Sequence, residues 1–413
     1  MNKSHTELKR CRISNSDHLI KVLSLGNQAL TGVFPKLKEQ PVTTGPLELV
    51  WCPDSGLLQL SHSYDLNEMY GLNYGYRSGL NESMIRHLTN KVSHLTQLRP
   101  VQFDDIVLDI GSNDATLLTA YKELGLRRIG VDPTGIKFSS YYGNGIELIP
   151  DFFSAEICKS RLRGKHPAII TSIAMFYDLE SPYDFVRDIA SLLDNTGIWH
   201  FEQSYMPTML RMGSYDTVCH EHLEYYSLEV VKRLVESHGL KIIDVQVNGV
   251  NGGSFAVTVA RKESTLKCNS AVINWMLGQE ARLGLNTTKP YRDFEERVFR
   301  HRDDFKRLVG DLKSDGKTIV GYGASTKGNV LLQFCNFTSN EISCIAEVNS
   351  DKFDSFTPGT LIPILPEVEV RSMKPDYMVV LPWHFRESII RREAEYLSNG
   401  GKLIFPLPEI EIV

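Results

Sequence analysis

The chain has 413 residues, which is too many for one hydrophobic core, so we expect two or three domains. Hydrophobic residues make up 42% of it and charged residues 23%, as in ordinary globular proteins, and a net charge of −5 argues against nucleic acid or anionic membrane as a partner. No run reaches the roughly 18 apolar residues of a membrane span, and the polar N-terminus lacks a secretory signal. The seven cysteines, odd in number and scattered, indicate reduced thiols, so we predict a cytoplasmic protein.

The first region, which we place at residues 1–70, is rich in turns and in short strand-like segments. Two of its segments, CRIS (11–14) and CPDS (52–55), look like Cys-x-x-Cys zinc knuckles in which the second cysteine is replaced. A structural zinc site normally uses four Cys or His ligands, and only Cys11 and Cys52 are evident here. We therefore predict that no structural zinc binds to this region.

The second region, at residues 71–250, alternates strand-like and helix-like runs, which is the pattern of a parallel sheet with crossover helices. The predicted strands are IVLDI (106–110), RIGVD (128–132), AIITSIAMF (168–176), GIWHFEQ (197–203) and a late pair, LKIIDVQVN and SFAVTVAR. Helical patterns such as SPYDFVRDIASLLD and SLEVVKRLVESHG lie between them. We expect an α/β domain of the nucleotide-binding type.

A glycine turn follows the first predicted strand of this region, in the sequence DIGSNDATLL (109–118). Gly111 lets the backbone turn tightly and lets a ligand approach the main chain. Asp132 ends the next strand, where an acidic side chain can accept hydrogen bonds from both hydroxyls of a ribose. Asp-x-Gly-x-Asn in place of Gly-x-Gly-x-x-Gly fits a nucleoside that bears an amino acid better than it fits a pyrophosphate. We predict a site for S-adenosylmethionine (SAM), with Phe152 placed to cover the adenine.

A dense polar run, YDTVCHEHLEYY (215–226), contains two histidines around a glutamate. His-x-His spacing on a strand can ligate a metal, and it also suits a general base whose ring is oriented by a neighbouring carboxylate. The spacing is not the His-Glu-x-x-His of zinc proteases. A surface turn with hydrogen-bonded histidines is the alternative without a function. Because the run follows a sheet strand, we predict that His220, Glu221 and His222 serve catalysis.

The third region, at residues 251–413, begins with a charged helical stretch over about 264–315 and continues as a second α/β unit. Its first strand and turn, TIVGYGASTKGN (318–329), repeat the order of strand, glycine turn and helix, without the order of a P-loop. Backbone N–H groups there, together with Lys327, can cradle a phosphate, and a tight packing turn is the alternative. We expect two nucleotide-binding-type sheets in one chain.

Taken together, these motifs resemble the SAM-dependent sugar C-3 methyltransferases that make branched deoxysugars. The resemblance covers nearly the whole chain, in order, through CRIS, GLLQL, YGYRSG, DIGSNDATLL, DFFS, CHEHLEYYSL, NGGSF, GYGASTKGNVLLQF, PGTLIPI and VVLPWHF. It implies an α/β protein with a small zinc-knuckle-like N-terminal lobe, a class I methyltransferase (Rossmann-like) core and a C-terminal Rossmann-like domain that helps to hold a sugar nucleotide. The implied reaction is methylation at carbon 3 of a nucleotide-linked 4-keto-6-deoxyhexose.

The resemblance also implies roles for individual residues. His222 matches the family's base, Glu221 orients or polarises beside it, and Tyr76 matches an active-site tyrosine. The full set of predicted catalytic residues is His222, Glu221, Tyr76, His220 and Tyr177. The predicted cofactor-binding residues are Asp109, Gly111, Asn113, Asp132, Phe152 and Ser172. The predicted substrate-binding residues are Arg77, Tyr322, Gly323, Ala324, Lys327, Asn329 and Glu347.

The chain departs from the usual pattern of this family at two positions. Cys219 stands where a tyrosine is usual, and Tyr177 stands where many members have histidine. Both changes touch the expected substrate pocket, so the exact sugar and the division of acid and base roles stay open. The alternatives to sugar C-methylation are an O- or N-methyltransferase that acts on a sugar, a non-catalytic binder of SAM or a sugar nucleotide, and a metal-dependent hydrolase built on His220 and His222. No sequence feature marks a dimer interface, so the oligomeric state also stays open.

Overall fold

The computed structural model describes residues 5–65, 68–69, 77–122, 125–143 and 145–413. The strands are β1 (His5–Glu7), β2 (Ile20–Ala29), β3 (Thr44–Trp51), β4 (Leu58–Leu60), β5 (His62–Tyr64), β6 (Ile106–Ile110), β7 (Arg127–Val131), β8 (Ile146–Ile149), β9 (Ile169–Ile173), β10 (Ile198–Ser204), β11 (Glu224–Tyr225), β12 (Leu240–Asn248), β13 (Ser254–Arg261), β14 (Ile319–Tyr322), β15 (Ile345–Glu347), β16 (Ser355–Phe356), β17 (Pro363–Pro366), β18 (Tyr377–Val380), β19 (Lys402–Phe405) and β20 (Glu411–Ile412). The α helices are α1 (Glu82–Leu98), α2 (Thr116–Thr119), α3 (Ala155–Leu162), α4 (Pro182–Leu192), α5 (Met206–Met212), α6 (Leu228–Glu236), α7 (Ser270–Leu283), α8 (Lys289–Ser314), α9 (Thr326–Phe334), α10 (Glu367–Ser372), α11 (Arg386–Arg392) and α12 (Ala394–Ser398). Within the described ranges, no helix combines the length and the apolar character needed to span a membrane.

The central sheet has the strand order β12-β13-β10-β9-β6-β7-β8. Strands β6 to β10 run parallel, and β13 lies antiparallel between β10 and β12. All five residues of β6 are buried, as expected for a strand of a parallel sheet that is covered on both faces. The predicted Rossmann-like α/β fold of this region is confirmed.

Local signals explain where the helices beside this sheet begin. The first turn of α4 contains Pro182, at a position where a missing backbone N–H costs no intrahelical hydrogen bond. α6 begins after Ser227, whose hydroxyl accepts a hydrogen bond from the N–H of Val230. The charged stretch predicted over 264–315 folds as two helices, α7 and α8.

The N-terminal region forms a small antiparallel sheet in the order β11-β4-β3-β2, beside the β1–β5 pair. β11 (Glu224–Tyr225) follows His222 closely in the chain and pairs with β4. The backbone N–H of Leu60 also donates to the carbonyl of Leu223, and the N–H of Leu223 donates to the carbonyl of Tyr177. The segment that follows His222 is therefore held between the N-terminal and central regions.

The C-terminal region contains the second large sheet, in the order β16-β17-β15-β14-β18-β19-β20. Strands β14, β15, β17, β18 and β19 run parallel. α9 follows β14 and begins after Ser325, whose hydroxyl accepts a hydrogen bond from the N–H of Gly328. The second α/β unit expected from the sequence is therefore present.

The three regions are joined by shared elements and by a shared core. β13 pairs with β10 in the central sheet, so that sheet extends past residue 250, where we expected the region to end. One apolar core contains Leu23 and Leu49 of the N-terminal sheet, Met206 and Tyr215 of the central region, and Phe294 and Val330 of the C-terminal region. This packing holds the loops of the two large sheets next to each other.

Candidate active site

A cavity of about 680 Å³ lies where loops at the carboxyl ends of β6, β7, β9 and β10 meet loops at the carboxyl ends of β14, β15 and β18. Open α/β sheets place ligand sites at this end of their strands, because the loops that follow the strands diverge there. The lining includes Gly32 and Phe34 from the N-terminal region, Asp109, Gly111, Asn113, Asp132, Tyr177, Glu221 and His222 from the central region, and Ala324, Lys327, Lys352 and His384 from the C-terminal region. All three regions therefore build one cavity.

Gly111 forms a sharp turn on one side of this cavity, directly after β6. Its φ of +74° lies in the left-handed region that favours glycine. A Cβ at this position would lie 2.9 Å from Cγ of Met175, which also lines the cavity. The turn therefore requires glycine, and it lets a ligand approach the main chain closely.

Two carboxyl groups lie beside this turn. Asp109 is buried and accepts a hydrogen bond from Oγ1 of Thr171 at 2.6 Å, and burial raises its pKa to about 7. Asp132 accepts hydrogen bonds at 2.7 Å from the N–H of Asn113 and at 2.7 and 2.6 Å from the N–H and hydroxyl of Thr134. A carboxylate offers about four acceptor positions, so Asp132 retains capacity for a hydroxyl donor in the cavity. A glycine turn beside acidic groups with spare acceptor capacity fits the ribose and the amino group of SAM.

His222 faces the cavity as a neutral imidazole. Its Nδ1 lies 2.9 Å from the carbonyl oxygen of Thr217, and because a carbonyl only accepts, Nδ1 carries the proton and Nε2 keeps a lone pair. The ring packs against Tyr177, with the two ring centroids 4.2 Å apart. Burial and the charge of Lys327 lower the pKa of His222 to about 3. The ring is thus oriented by a backbone carbonyl, a partner that the sequence pattern does not reveal.

Glu221 is adjacent to His222, but its pKa is shifted in the opposite direction. Burial raises its pKa to about 7, and a hydrogen bond with the Cys219 thiol opposes that rise. Cys219 is itself fully buried, and burial raises the pKa of its thiol. A Cβ at Gly32 would collide with Oε1 of Glu221, so the N-terminal region closes directly over this carboxyl group. Neighbouring titratable groups whose pKa values are pushed apart are typical of acid–base sites.

Basic side chains from the C-terminal region form another wall of the cavity. Nζ of Lys327 donates to the carbonyl of Asn251 at 2.7 Å, and Nζ of Lys352 donates to the carbonyl of Ala324 at 2.7 Å. His384 follows β18, and its Nδ1 is buried with no hydrogen-bond partner in the part of the chain that the structure describes. Only Lys327 of these three is predicted from the sequence. The position of His384 just after a strand of the second sheet is the sequence signal that could have identified it as a cavity residue.

Four predicted substrate-binding residues do not line the cavity, namely Tyr322, Gly323, Asn329 and Glu347. The hydroxyl of Tyr322 donates to a buried carboxylate at 3.1 Å, and Nδ2 of Asn329 donates to the carbonyl of Thr31 at 2.7 Å. Glu347 accepts hydrogen bonds from backbone N–H groups of two neighbouring loops. These contacts hold the loop that bears Lys327, and a role of the four residues in substrate binding stays a prediction.

Three other predicted residues also lie away from the cavity. His220 is fully buried and meets the ring of Tyr64 edge to face, with centroids 4.6 Å apart. Ser172 is buried and accepts a hydrogen bond from Nε1 of Trp199. The side chain of Phe152 is 45% exposed and does not line the cavity. Arg77 lines the cavity and lies over the ring of Tyr141. Tyr76 lies outside the described residues.

The two incomplete knuckles meet in the N-terminal region. Sγ of Cys11 lies 3.2 Å from Oγ of Ser55, and Oγ of Ser14 lies 3.6 Å from Sγ of Cys52. Two neutral hydroxyls therefore stand where a zinc knuckle has thiolates, and hydroxyls are not among the usual ligands of structural zinc. Within the described ranges, no group of three or more His, Cys, Asp or Glu side chains has the geometry to hold a metal ion. The residues present do not fit a structural zinc ion.

Solved structures, including the following two, match part of the chain. The YcgJ protein from Bacillus subtilis is 14% identical, and the match covers 43% of this chain and 100% of that one, with a TM-score of 0.33. Magnesium protoporphyrin IX methyltransferase from Synechocystis PCC 6803, solved with bound SAM, is 13% identical, and the match covers 44% of this chain and 82% of that one, with a TM-score of 0.33.

Family models and a full-length relative match the chain from end to end. A domain proposed to bind zinc matches residues 11–70, a methyltransferase domain matches 76–245, and a C-methyltransferase C-terminal domain matches 249–408. The chain is also 30% identical over 410 residues to the C-methyltransferase NovU from Streptomyces niveus, a match that covers 98% of this chain and 97% of NovU. On this similarity, the chain belongs to the family of SAM-dependent C-methyltransferases.

Proposed function

We propose that the protein transfers the methyl group of SAM to carbon 3 of a nucleotide-linked 4-keto-6-deoxyhexose. The observation that carries this proposal is the position of His222, whose Nδ1 is bonded to the carbonyl of Thr217 and whose ring lines the same cavity as Asp109 and Asp132. A saturated carbon such as carbon 3 can attack the methyl group only after its C–H proton has left, because it has no free electron pair before that. A ketone at carbon 4 acidifies the hydrogen on carbon 3, so a positioned histidine can remove it.

The cofactor side of the cavity is assigned to the glycine turn and its carboxyl groups. The sulfonium of SAM, when bound, supplies the methyl group as an electrophile. We assign to Asp132 the hydrogen bonds from the ribose hydroxyls, and to Gly111 the close approach of the main chain to the amino-acid part of the cofactor. Met175 packs against this turn and closes that side of the cavity.

The acid–base work is assigned to His222. The C–H bond at carbon 3 breaks, its proton goes to Nε2, and its electron pair moves toward the carbonyl oxygen to form an enolate. Carbon 3 then bonds to the methyl carbon, and the electron pair of the C–S bond stays on sulfur. Because Thr217 holds Nδ1, the direction of Nε2 is set before substrate binds. We assign to Glu221, which lines the same cavity, the donation of a hydrogen bond to the sugar in its protonated form.

The direct test incubates the purified protein with SAM and a panel of nucleotide-linked 4-keto-6-deoxy sugars. The corresponding non-keto sugars are the matched controls, and mass spectrometry is expected to show one added methyl group on a keto sugar only. A 4-ketone also acidifies carbon 5, so NMR must locate the methyl group, and a methyl on carbon 5 would overturn the assigned carbon. Methylation of non-keto sugars would favour O- or N-methyl transfer. Cofactor binding without turnover would favour a non-catalytic binder.

The assignment of the base is tested separately. His222→Ala is expected to lower turnover at least about 100-fold, the usual contribution of a general base. Its affinity for SAM, measured by calorimetry, is expected to stay close to that of the wild-type protein, because His222 is assigned to the substrate. Turnover at the wild-type rate would remove His222 from the role of base.

A further inference from the structure

Lys327 brings a positive charge into the cavity without a carboxylate beside it. Its Nζ donates to the carbonyl of Asn251 at 2.7 Å, and among the described residues no Asp or Glu oxygen lies within 4.0 Å of it. An ammonium group that is withdrawn from water costs free energy unless a partner compensates it. This withdrawal lowers the pKa of Lys327. An anionic group of a ligand in the cavity would compensate this cost.

One carboxyl group, that of Asp216, interacts electrostatically with this ammonium without forming an ion pair with it. Asp216, the carboxyl that interacts with it electrostatically, accepts a hydrogen bond from Nε1 of Trp383 at 2.7 Å, and burial raises its pKa. His222 and His384 both line the cavity, and the charge of Lys327 lowers the pKa of both rings. The ammonium thus acts electrostatically on the histidine assigned as the base, and both side chains line the same cavity.

A second lysine of the same cavity differs in its surroundings. Lys352 donates to the carbonyl of Ala324, lies 4.8 Å from the centroid of the Phe34 ring, and interacts with the carboxyl groups of Glu347 and Asp351. Unlike Lys327, Lys352 does not contribute to the lowered pKa of His222. Lys352 therefore supplies a matched comparison, with the same charge in the same cavity but away from the base.

We propose that Lys327 is a catalytic residue that stabilises the negative charge on the substrate's carbonyl oxygen while His222 removes the proton. The inference rests on the proposed function and extends it. As the C–H bond at carbon 3 breaks, the proton goes to Nε2 of His222, and the electron pair passes through the bond between carbons 3 and 4 to the oxygen. The ammonium donates a hydrogen bond to that oxygen and keeps its proton. When carbon 3 attacks the methyl group, the carbonyl re-forms and the negative charge leaves the oxygen.

The same ammonium could instead make a static contact with the substrate's diphosphate, and enolisation separates the two roles. In deuterated water with S-adenosylhomocysteine in place of SAM, hydrogen on carbon 3 of the keto sugar exchanges for deuterium without methylation. NMR locates the deuterium on carbon 3 rather than carbon 5 and follows this exchange over a range of substrate concentrations. Lys327→Met is expected to lower the saturating exchange rate about 100-fold or more, with KM changed by less than about threefold. Lys352→Met is expected to raise KM more than it slows exchange.

Controls are needed to show that a loss of exchange in Lys327→Met does not come from misfolding. Replacing a withdrawn charge by an apolar side chain of similar length is often tolerated, and thermal unfolding and SAM affinity check that the variant folds. Lys327→Arg, which keeps the charge, is expected to exchange faster than Lys327→Met. A raised KM with an unchanged saturating rate in Lys327→Met would assign the lysine to the diphosphate and overturn the inference. If the wild-type protein exchanges no keto sugar, the proposed function fails, and the inference fails with it.

Discussion

The Glu221 carboxyl group is expected to set the upper pH limit of the reaction. Burial raises its pKa to about 7, so in the free protein the group is mostly protonated near pH 6 and mostly ionised near pH 8. If the protonated form donates a hydrogen bond to the sugar, kcat/KM falls about tenfold per pH unit above 7, because this parameter reports the free protein. His222 adds no change between about pH 5 and 7, since its pKa is lowered to about 3 and the ring stays neutral.

The assay measures initial rates of methyl transfer at low substrate concentration, over about pH 5 to 9, for the wild-type protein and Glu221→Gln. Glutamine keeps the size and a hydrogen-bond donor but cannot ionise, so the variant is expected to lose the fall above pH 7. Burial raises the pKa of Asp109 to about 7 as well, so a fall that persists in Glu221→Gln would be assigned to Asp109. A wild-type rate that rises through pH 7 and then levels off would refute the reasoning, because it would make ionised Glu221 the base.

Asp132→Ala is expected to weaken SAM binding roughly tenfold or more, because a hydrogen-bond acceptor for the ribose is lost; unchanged affinity in calorimetry would show that Asp132 does not hold the ribose. Replacing Ser14 and Ser55 together by cysteine is expected to add one zinc ion per chain, since four thiolates would then meet; equal zinc in the wild-type protein, measured by elemental analysis, would contradict this. The raised pKa of Glu221 means that the folded chain loses stability as pH rises from about 4.5 through 7. Glu221→Gln is therefore expected to raise the free energy of unfolding at about pH 8, by at most about 3 kcal/mol because the side chain is only partly buried. Urea denaturation near pH 4.5 is expected to show little gain.

Local features of the sequence are sufficient to predict the fold class and the edge of the sheet at which Gly111 and Asp132 lie. The unbroken apolar run of β6 indicates a strand covered on both faces, and the structure buries all five of its residues. Gly111 and Asp132 follow successive parallel strands, so sheet geometry alone places them at one edge. The missing knuckle cysteines are likewise visible in the sequence, because ligand identity is a local property.

The direction of side chains within each motif is decided by the tertiary structure. Lys327 faces the cavity while Asn329, two positions later, bonds to the carbonyl of Thr31, and His222 faces the cavity while His220 packs on an aromatic ring. In a loop or at a helix start, these directions depend on partners that are distant in the sequence, which no periodicity encodes.

The set of residues that share the cavity also depends on the packing of the whole chain. Lys352 and His384 come from loops of the second sheet, and they reach the cavity of His222 because one apolar core joins all three regions. The pKa values of Glu221 and His222 move apart for the same reason, since burial between these regions removes water from both groups. The sequence alone therefore determines the family, the sheets and the candidate base, while long-range burial and hydrogen bonding decide which groups surround that base and in which protonation state.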